Sequence, residues 1–256
     1  MKKAPGGKDQ AEMPITGHLL ELRSRLVKSV FFLLLFCAIA FYFSDQIFFW
    51  FKRPLHADLI FLSPAEAFWS DLKISLFVGF LGAFPVILYE IWQFISPGLL
   101  PKERGYFLPF LILGTLFFFL GVSFCYFVAL PLALDFLIEY GRRSGIKPQI
   151  SVSMYIDFNL KFLLSFGLIF ELPLGMILFS KMGMLTPAFL VKNRKYAMVL
   201  AFLAAAILTP TPDIFNQTVM AIPLVLLYEV GIIAVRLFGG RAAPVRKPET
   251  EGTPLK

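Results

Sequence analysis

From Gly105 to Leu134, thirty consecutive residues carry no charge. A helix rises about 1.5 Å per residue, so this run alone can cross a hydrocarbon core of about 30 Å. It is not isolated. Ser29 to Phe43 and Ile74 to Tyr89 are equally free of charge, Phe162 to Ser180 is interrupted only by Glu171, and Tyr196 to Val235 holds only Asp213 and Glu229. Of the 256 residues 58% are hydrophobic, and with the 18 glycines the fraction reaches roughly 65%, against about 45–50% in a soluble domain. A water-soluble globule is excluded. The pattern predicts an all-α, polytopic membrane protein.

The breaker cluster Thr209-Pro210-Thr211-Pro212-Asp213 splits the last apolar region into a tight hairpin, which brings the expected number of transmembrane helices to six. Counted to its flanking charge, each hairpin arm has about 15–17 residues, or about 23–26 Å, which is short for a bilayer and predicts local thinning. Orientation follows from the basic residues. If the N-terminus is cytoplasmic, 17 of the 24 Lys and Arg fall on cytoplasmic segments and 7 on the opposite side, which predicts both termini inside. The net charge of +7 is then a property of loops facing anionic lipid and gives no reason to expect nucleic acid as a partner. The expected organisation is a cytoplasmic N-terminal segment (1–26), a transmembrane domain (27–235) and a disordered cytoplasmic tail (236–256). The N-terminal segment lacks the apolar core and cleavage site of a removable signal, so the first apolar run is expected to remain as a span. On the outer side, Ile47 to Phe51 and Ser63 to Trp69 carry aromatic residues suited to an amphipathic cap at headgroup level.

No enzyme signature is present: HExxH, GxSxG, a P-loop and a pair of intramembrane aspartates are all missing. The two cysteines, Cys37 and Cys125, lie inside apolar runs, and the two histidines, His18 and His56, have no metal-ligand spacing, so no cofactor and no metal are expected. The polar residues that stand out are carboxylates. Glu21 and Arg25, four apart in HLLELRSRL (18 to 26), form either a simple intrahelical pair or an acceptor for an incoming cation. Glu103 follows Pro97-Gly98-Leu99-Leu100-Pro101-Lys102 in a loop stiffened by two prolines, and is either an ordinary loop charge or a second acceptor. Glu171 sits within an apolar span, where an acidic residue costs about 2.5–3.5 kcal/mol. Pro173, two residues on, cannot donate to the carbonyl of Ile169. That polar, kinked spot is either a hydrogen bond internal to the bundle or a docking or proton-linked site. Asp213, with Gln217 nearby, either caps the last helix or meets a partner helix, and Glu229 reads as structural.

Taken in order, HLLELRSR (18 to 25), Pro85, YEIWQF (89 to 94), Pro97-Gly98-Leu99, Glu103-Arg104, FELP (170 to 173), Leu208-Thr209-Pro210, Pro212-Asp213, Gln217, Ala221-Ile222-Pro223 and Tyr228-Glu229 resemble the TatC family, the multi-span receptor subunits of the twin-arginine protein translocase. The resemblance spans about residues 14 to 236. It implies a curved, glove-like bundle of six helices in the bacterial cytoplasmic membrane that exports folded proteins with the proton motive force. It further implies that Glu21 and Glu103 hold the two guanidinium groups of a twin-arginine signal peptide, with Arg23, Arg25 and Phe94 shaping the surface. Partners implied are the signal peptides of folded cargo, single-span TatA and TatB type subunits, further TatC copies and membrane lipid. Glu171, Gln217, Asp213 and Glu229 are the implied contacts for partner subunits. A carboxylate takes an arginine through two parallel hydrogen bonds, a geometry lysine cannot copy, so such a site separates Arg-Arg from Lys-Lys. The rival function is a proton-coupled small-solute transporter using Glu171.

Overall fold

The computed structural model describes residues 15–55, 57–95, 105, 107–143, 145, 147–211 and 213–239. Long helices follow the uncharged runs, and most extend beyond them. They are α1 (Ile15–Tyr42), a short α2 (Ser44–Lys52), α3 (Glu66–Ile95), and α4 (Phe107–Phe124), which passes through a π-helical turn at Cys125–Ala129 into α5 (Leu130–Arg143). After these come α6 (Val152–Phe170), α7 (Leu172–Lys181), a short α8 (Pro187–Lys192), α9 (Arg194–Leu208) and α10 (Ile214–Phe238). Two-residue strands, β1 (Leu59–Ile60) and β2 (Ile150–Ser151), pair in parallel and tie the loop before α3 to the start of α6.

Five helical stretches among the described residues are long and apolar enough to cross a membrane: Leu19–Tyr42, Glu66–Ile95, Leu108–Arg143, Val152–Lys181 and Ile214–Phe238. The chain is a polytopic helical membrane protein. The remaining expected span, α9, has 15 residues and a length of about 22 Å, so the shortness expected there is present. The other hairpin arm is not short. α10 runs for 25 residues, about 37 Å, because Glu229 does not end it. Arg194 Nη2 donates to Glu229 Oε2 at 2.6 Å, so the charge is compensated by the start of α9 and the helix continues to Phe238. The expectation of two short hairpin arms is therefore corrected to a short α9 alone.

Lipid tails are as apolar as leucine side chains, so close backbone approach and packing must hold such helices together. Small residues supply it. A Cβ on Gly79 of α3 would lie 2.6 Å from the backbone nitrogen of Cys37 on α1, and one on Gly121 of α4 would lie 2.6 Å from the carbonyl oxygen of Phe166 on α6. The main core sits between α3, α4, α6 and α10, around Ile74, Phe162, Phe166 and Met220. Beside it Phe84 and Phe118 stack at 3.6 Å.

At the end of the bundle where α1 finishes, α2 lies across the helix ends, with Phe49 and Trp50 exposed. Its carbonyls are held from the bundle: Tyr126 Oη donates to the Trp50 carbonyl and Tyr155 Oη to the Phe51 carbonyl, both at 2.7 Å. Residues 63 to 65 lead into α3 and Glu66 to Trp69 form its first turn; Phe68 and Trp69 are exposed there, and Glu66 is buried. The Glu66 carboxylate accepts from the amides of Leu62 (2.6 Å) and Ser153 (2.7 Å) and from the Ser151 hydroxyl, so it clamps the β1–β2 junction.

Candidate functional site

Leu19, Leu22 and Leu26 form one exposed stripe at the start of α1, and Glu21 and Arg25 lie on another face. That polar face meets the far end of α3, because α1 and α3 pack along their length through Gly79 and Gly82. Arg25 ends between two carboxylates. Its Nε donates to Glu21 Oε1 at 3.1 Å and its Nη2 reaches the same oxygen, while its Nη1 donates to Glu90 Oε2 at 3.1 Å. The side chains of Arg25, Glu21 and Glu90 are 19%, 22% and 9% exposed, so the cluster is partly shielded and still reachable from solvent. One guanidinium faces two carboxylates, which leaves the trio with one negative charge. Water screens such a shielded trio less than it screens surface pairs, and the stronger attraction is offset by the cost of desolvating the charges.

Arg23 is exposed beside the trio and Phe94 is half-buried at the end of α3. Trp92, two residues before Phe94, is buried and packs against Phe110 with ring centroids 4.4 Å apart, which anchors this end of α3 to α4. Glu103 and the Pro97 to Arg104 loop lie outside the described residues, as does the tail beyond Gly239.

Glu171 occupies the break between α6 and α7. Its amide donates back to the Leu168 carbonyl at 3.1 Å, and Pro173 lies in the first turn of the next helix. The side chain reaches toward Gly114 of α4, where an added Cβ would sit 3.4 Å from Glu171 Oε2. Its Oε1 is buried and has no hydrogen-bond donor among the described residues.

The hairpin residues differ, since each has an intramolecular partner. Asp213 caps α10, accepting from the Asn216 amide at 2.7 Å and from Asn216 Nδ2 at 2.9 Å. Gln217 Nε2 donates to the Phe202 carbonyl at 3.0 Å and so crosses from α10 to α9. Glu229 is paired with Arg194, as above.

Three polar groups escaped the sequence reading. Glu90 stands in the matched YEIWQF stretch, yet its partner Arg25 is 65 positions away and no spacing rule links them. Glu66 lies in a segment whose aromatic residues mark it as interfacial, and nothing local signals its burial. Lys73 Nζ reaches Asp157 Oδ1 at 2.7 Å across α3 and α6, again without any local signal.

The family model for the Sec-independent protein translocase protein (TatC) matches residues 17–223, from the first turn of α1 to the middle of α10. This chain belongs to the TatC family. It is 44% identical to the TatC protein of Aquifex aeolicus (strain VF5), over 93% of this chain and 99% of that relative. It is 34% identical to that of Escherichia coli (strain K12), over 89% and 90%. A solved crystal structure described as the twin arginine translocase receptor TatC superposes with a TM-score of 0.76 at 44% identity, covering 86% of this chain and 98% of that one. The TatC-family chain is thus a Sec-independent protein translocase component, a multi-pass protein of the bacterial inner membrane. Nothing in these likenesses supports the solute-transporter reading.

Proposed function

We propose that this chain is the receptor for twin-arginine signal peptides within a translocase for folded proteins, and that Glu21 is the carboxylate its arginines contact first. The observation that carries the reading is Arg25, already held between Glu21 and Glu90. A site that accepts a guanidinium from its own helix has the donor-acceptor geometry for one from a ligand. An arriving arginine competes with Arg25 for Glu21, and Glu90 gives the displaced Arg25 a second carboxylate, so no charge is stranded in a shielded place. Arg23 and Phe94 flank the exchange, and Glu103 supplies the contact for the second arginine. Signal peptides with Lys-Lys lose the forked pairing and bind more weakly.

In this reading both termini are cytoplasmic, α9 counts as the fifth of six spans, residues 1–26 carry the recognition helix, 27–235 the spans and 236–256 a cytoplasmic tail. Glu171 is the contact for a polar residue of a single-span TatA or TatB type subunit. Its Oε1, which has no donor among the described residues, and the adjoining small Gly114 support that role. The exposed side of α9, with Val199, Leu203 and Ile207, and the α10 surface near Gln217 offer apolar area for the same subunits or for further copies of the chain. Transport itself draws on the proton motive force.

The test is equilibrium binding of a fluorescent Arg-Arg signal peptide to the purified full chain in detergent. Glu21→Ala and Glu103→Ala are expected each to weaken binding at least ten-fold while the helical content stays the same. Unchanged binding in both would reject the assignment.

A further inference from the structure

Lys147-Pro148 sets the backbone that follows it. A proline disfavours the helical region for its predecessor and fixes its own φ at about −65°, so the chain runs extended into β2 (Ile150–Ser151) before it turns into α6. β2 belongs to a sheet of two strands, and β1 is its neighbour on one edge. A cavity of about 740 Å³ is walled by Lys147, Pro148, Gln149 and Ile150 and, among the described residues, by neither residue of β1, which places it along the uncovered side of the strand. The free edge of a strand presents unpaired backbone amides and carbonyls, a template for another extended chain. Gln149 and Ile150 have no side-chain hydrogen-bond partner among the described residues, so no side chain seals that edge.

The remaining walls include Leu134, Leu137 and Ile138 of α5, Phe158 of α6 and Pro210 of the hairpin. Lys147 and Lys161 are exposed at the cavity, and neither makes a hydrogen bond or ion pair with the described residues. Asp157, also in the wall, is occupied, since both its oxygens take Lys73 Nζ, at 2.7 and 3.0 Å. The charge left over is positive. Between Lys161 and Lys181 the only charged residue is Glu171, and Phe162 to Ser180 correspond to about 28 Å of helix, close to a hydrocarbon core of about 30 Å. Lys161 thus marks the edge of the hydrocarbon, and the walls from 147 to 158 stand outward of it. A ligand for this place arrives through water, carries negative charge, brings apolar side groups and pairs with a backbone edge. An extended acidic peptide meets all four conditions.

We propose that the cavity docks an extended acidic segment of a partner protein on the capped side, added as a third strand to β2. Main-chain hydrogen bonds to the strand edge hold such a segment, and pockets for alternate side chains select it. Side chains of a strand alternate between its two faces, so apolar residues of the segment pack against Leu134, Leu137 and Phe158 while its carboxylates meet Lys147 and Lys161. The two lysines attract an acidic segment and repel a basic one. The site is independent of the signal-peptide reading, because it uses other residues at the other end of the bundle.

The experiment is fluorescence anisotropy of a labelled, end-blocked heptapeptide of alternating valine and glutamate, titrated with the full chain in a neutral detergent. Wild type is expected to bind it at least ten-fold more tightly than the valine and lysine counterpart. K147Q/K161Q is expected to bring the two peptides within three-fold, K147R/K161R to keep the preference, and K192Q, at the opposite end, to behave as wild type. Gly141 also lines the cavity, and a Cβ there meets nothing within 4 Å, so G141F is expected to fill the space and weaken the acidic peptide at least ten-fold with helical content unchanged. Should K161Q fail to fold, K147Q alone is expected to lower the preference at least three-fold. Strand addition has its own signature: backbone N-methylation of the valines or of the glutamates is expected to weaken binding at least five-fold for one set and to leave the other unchanged. Equal binding of the two peptides by wild type, an undiminished preference in K147Q/K161Q, or full affinity in folded G141F would overturn the proposal. Tolerance of both methylation patterns would overturn the strand pairing. Displacement of the peptide by inorganic phosphate at equal concentration, or by phosphatidylglycerol but not by unlabelled peptide, would overturn it in favour of a free-anion or a lipid site.

Discussion

Two carboxylate clusters, one buried and one partly shielded, sit at opposite ends of the bundle and are built on different principles. At the capped end, Glu66 accepts two backbone amides and one hydroxyl, all from segments whose positions are set by the β1–β2 pair and the start of α6. At the other end, Glu21 and Glu90 share a single guanidinium on a long side chain. Backbone donors cannot leave without unfolding the segment that carries them, whereas an arginine can swing from one carboxylate to another. The first arrangement suits a joint and the second suits an exchange. The difference shows why burial and pairing of a carboxylate do not by themselves reveal its role; what matters is whether its partner is free to move.

The comparison can be broken most directly at Glu66. Glu66→Ala strips the acceptor from two amides and a hydroxyl at once, and buried donors left without partners are more damaging than the loss of an average hydrogen bond. The largest fall in melting temperature among these variants is expected, measured by differential scanning fluorimetry in detergent, with signal-peptide affinity of the folded fraction unchanged. If affinity collapses with Glu66→Ala, the two ends are not independent. Glu21→Ala should show the reverse pattern: a loss of peptide binding of about 10- to 100-fold, the range of a charge-assisted hydrogen bond worth about 1.5–3 kcal/mol, with little change in melting.

Glu90→Gln sharpens the exchange idea. It removes the charge that receives Arg25 when a ligand takes Glu21, so peptide affinity should fall about three- to ten-fold, and the fall should shrink as salt is raised because the lost term is electrostatic. An affinity that rises would mean that Glu90 hinders the ligand. Gly79→Ala tests the geometry beneath both, since the new methyl would meet the Cys37 backbone nitrogen at 2.6 Å and push α1 away from α3. Lower melting temperature and weaker peptide binding are both expected, because Arg25 and Glu90 are carried on those two helices. The smallest effect belongs to Glu229→Gln. Its pair with Arg194 is more than 40% exposed on both sides, and pairs of that kind contribute about 0–1 kcal/mol, so a change of one or two degrees in melting is the most expected.

Much of the architecture was legible because the bilayer permits few solutions. An uncharged run of thirty residues has to be a helix in lipid, where backbone groups can be satisfied only within the helix itself, and the stretch from Phe107 onward is helical. The hairpin at Thr209 to Asp213 and the Asp213 cap were legible for local reasons, the breaker residues and the side-chain acceptor at the helix start. The Glu21–Arg25 contact belongs to the same class, being one helical turn long. The length of α10 was not legible, since Glu229 resembles a boundary until Arg194, 35 positions earlier, is seen beside it. Glu171 was conspicuous as a charge in an apolar span, yet that its Oε1 would lack a donor depended on what α4 presents opposite, and there the helix has Gly114.

What the amino-acid order determined alone was the long apolar helical stretches, the break before α10 and the contacts within a turn, because hydrocarbon thickness and the helical repeat act on neighbours along the chain. What only the tertiary structure decided was the pairing of Arg25 with Glu90, Glu66 with Ser151 and Ser153, and Lys73 with Asp157. Each joins residues 65 or more positions apart, and a charge carries no mark of its partner until helix packing, set by small residues such as Gly79 and Gly121, brings the two within a few ångströms.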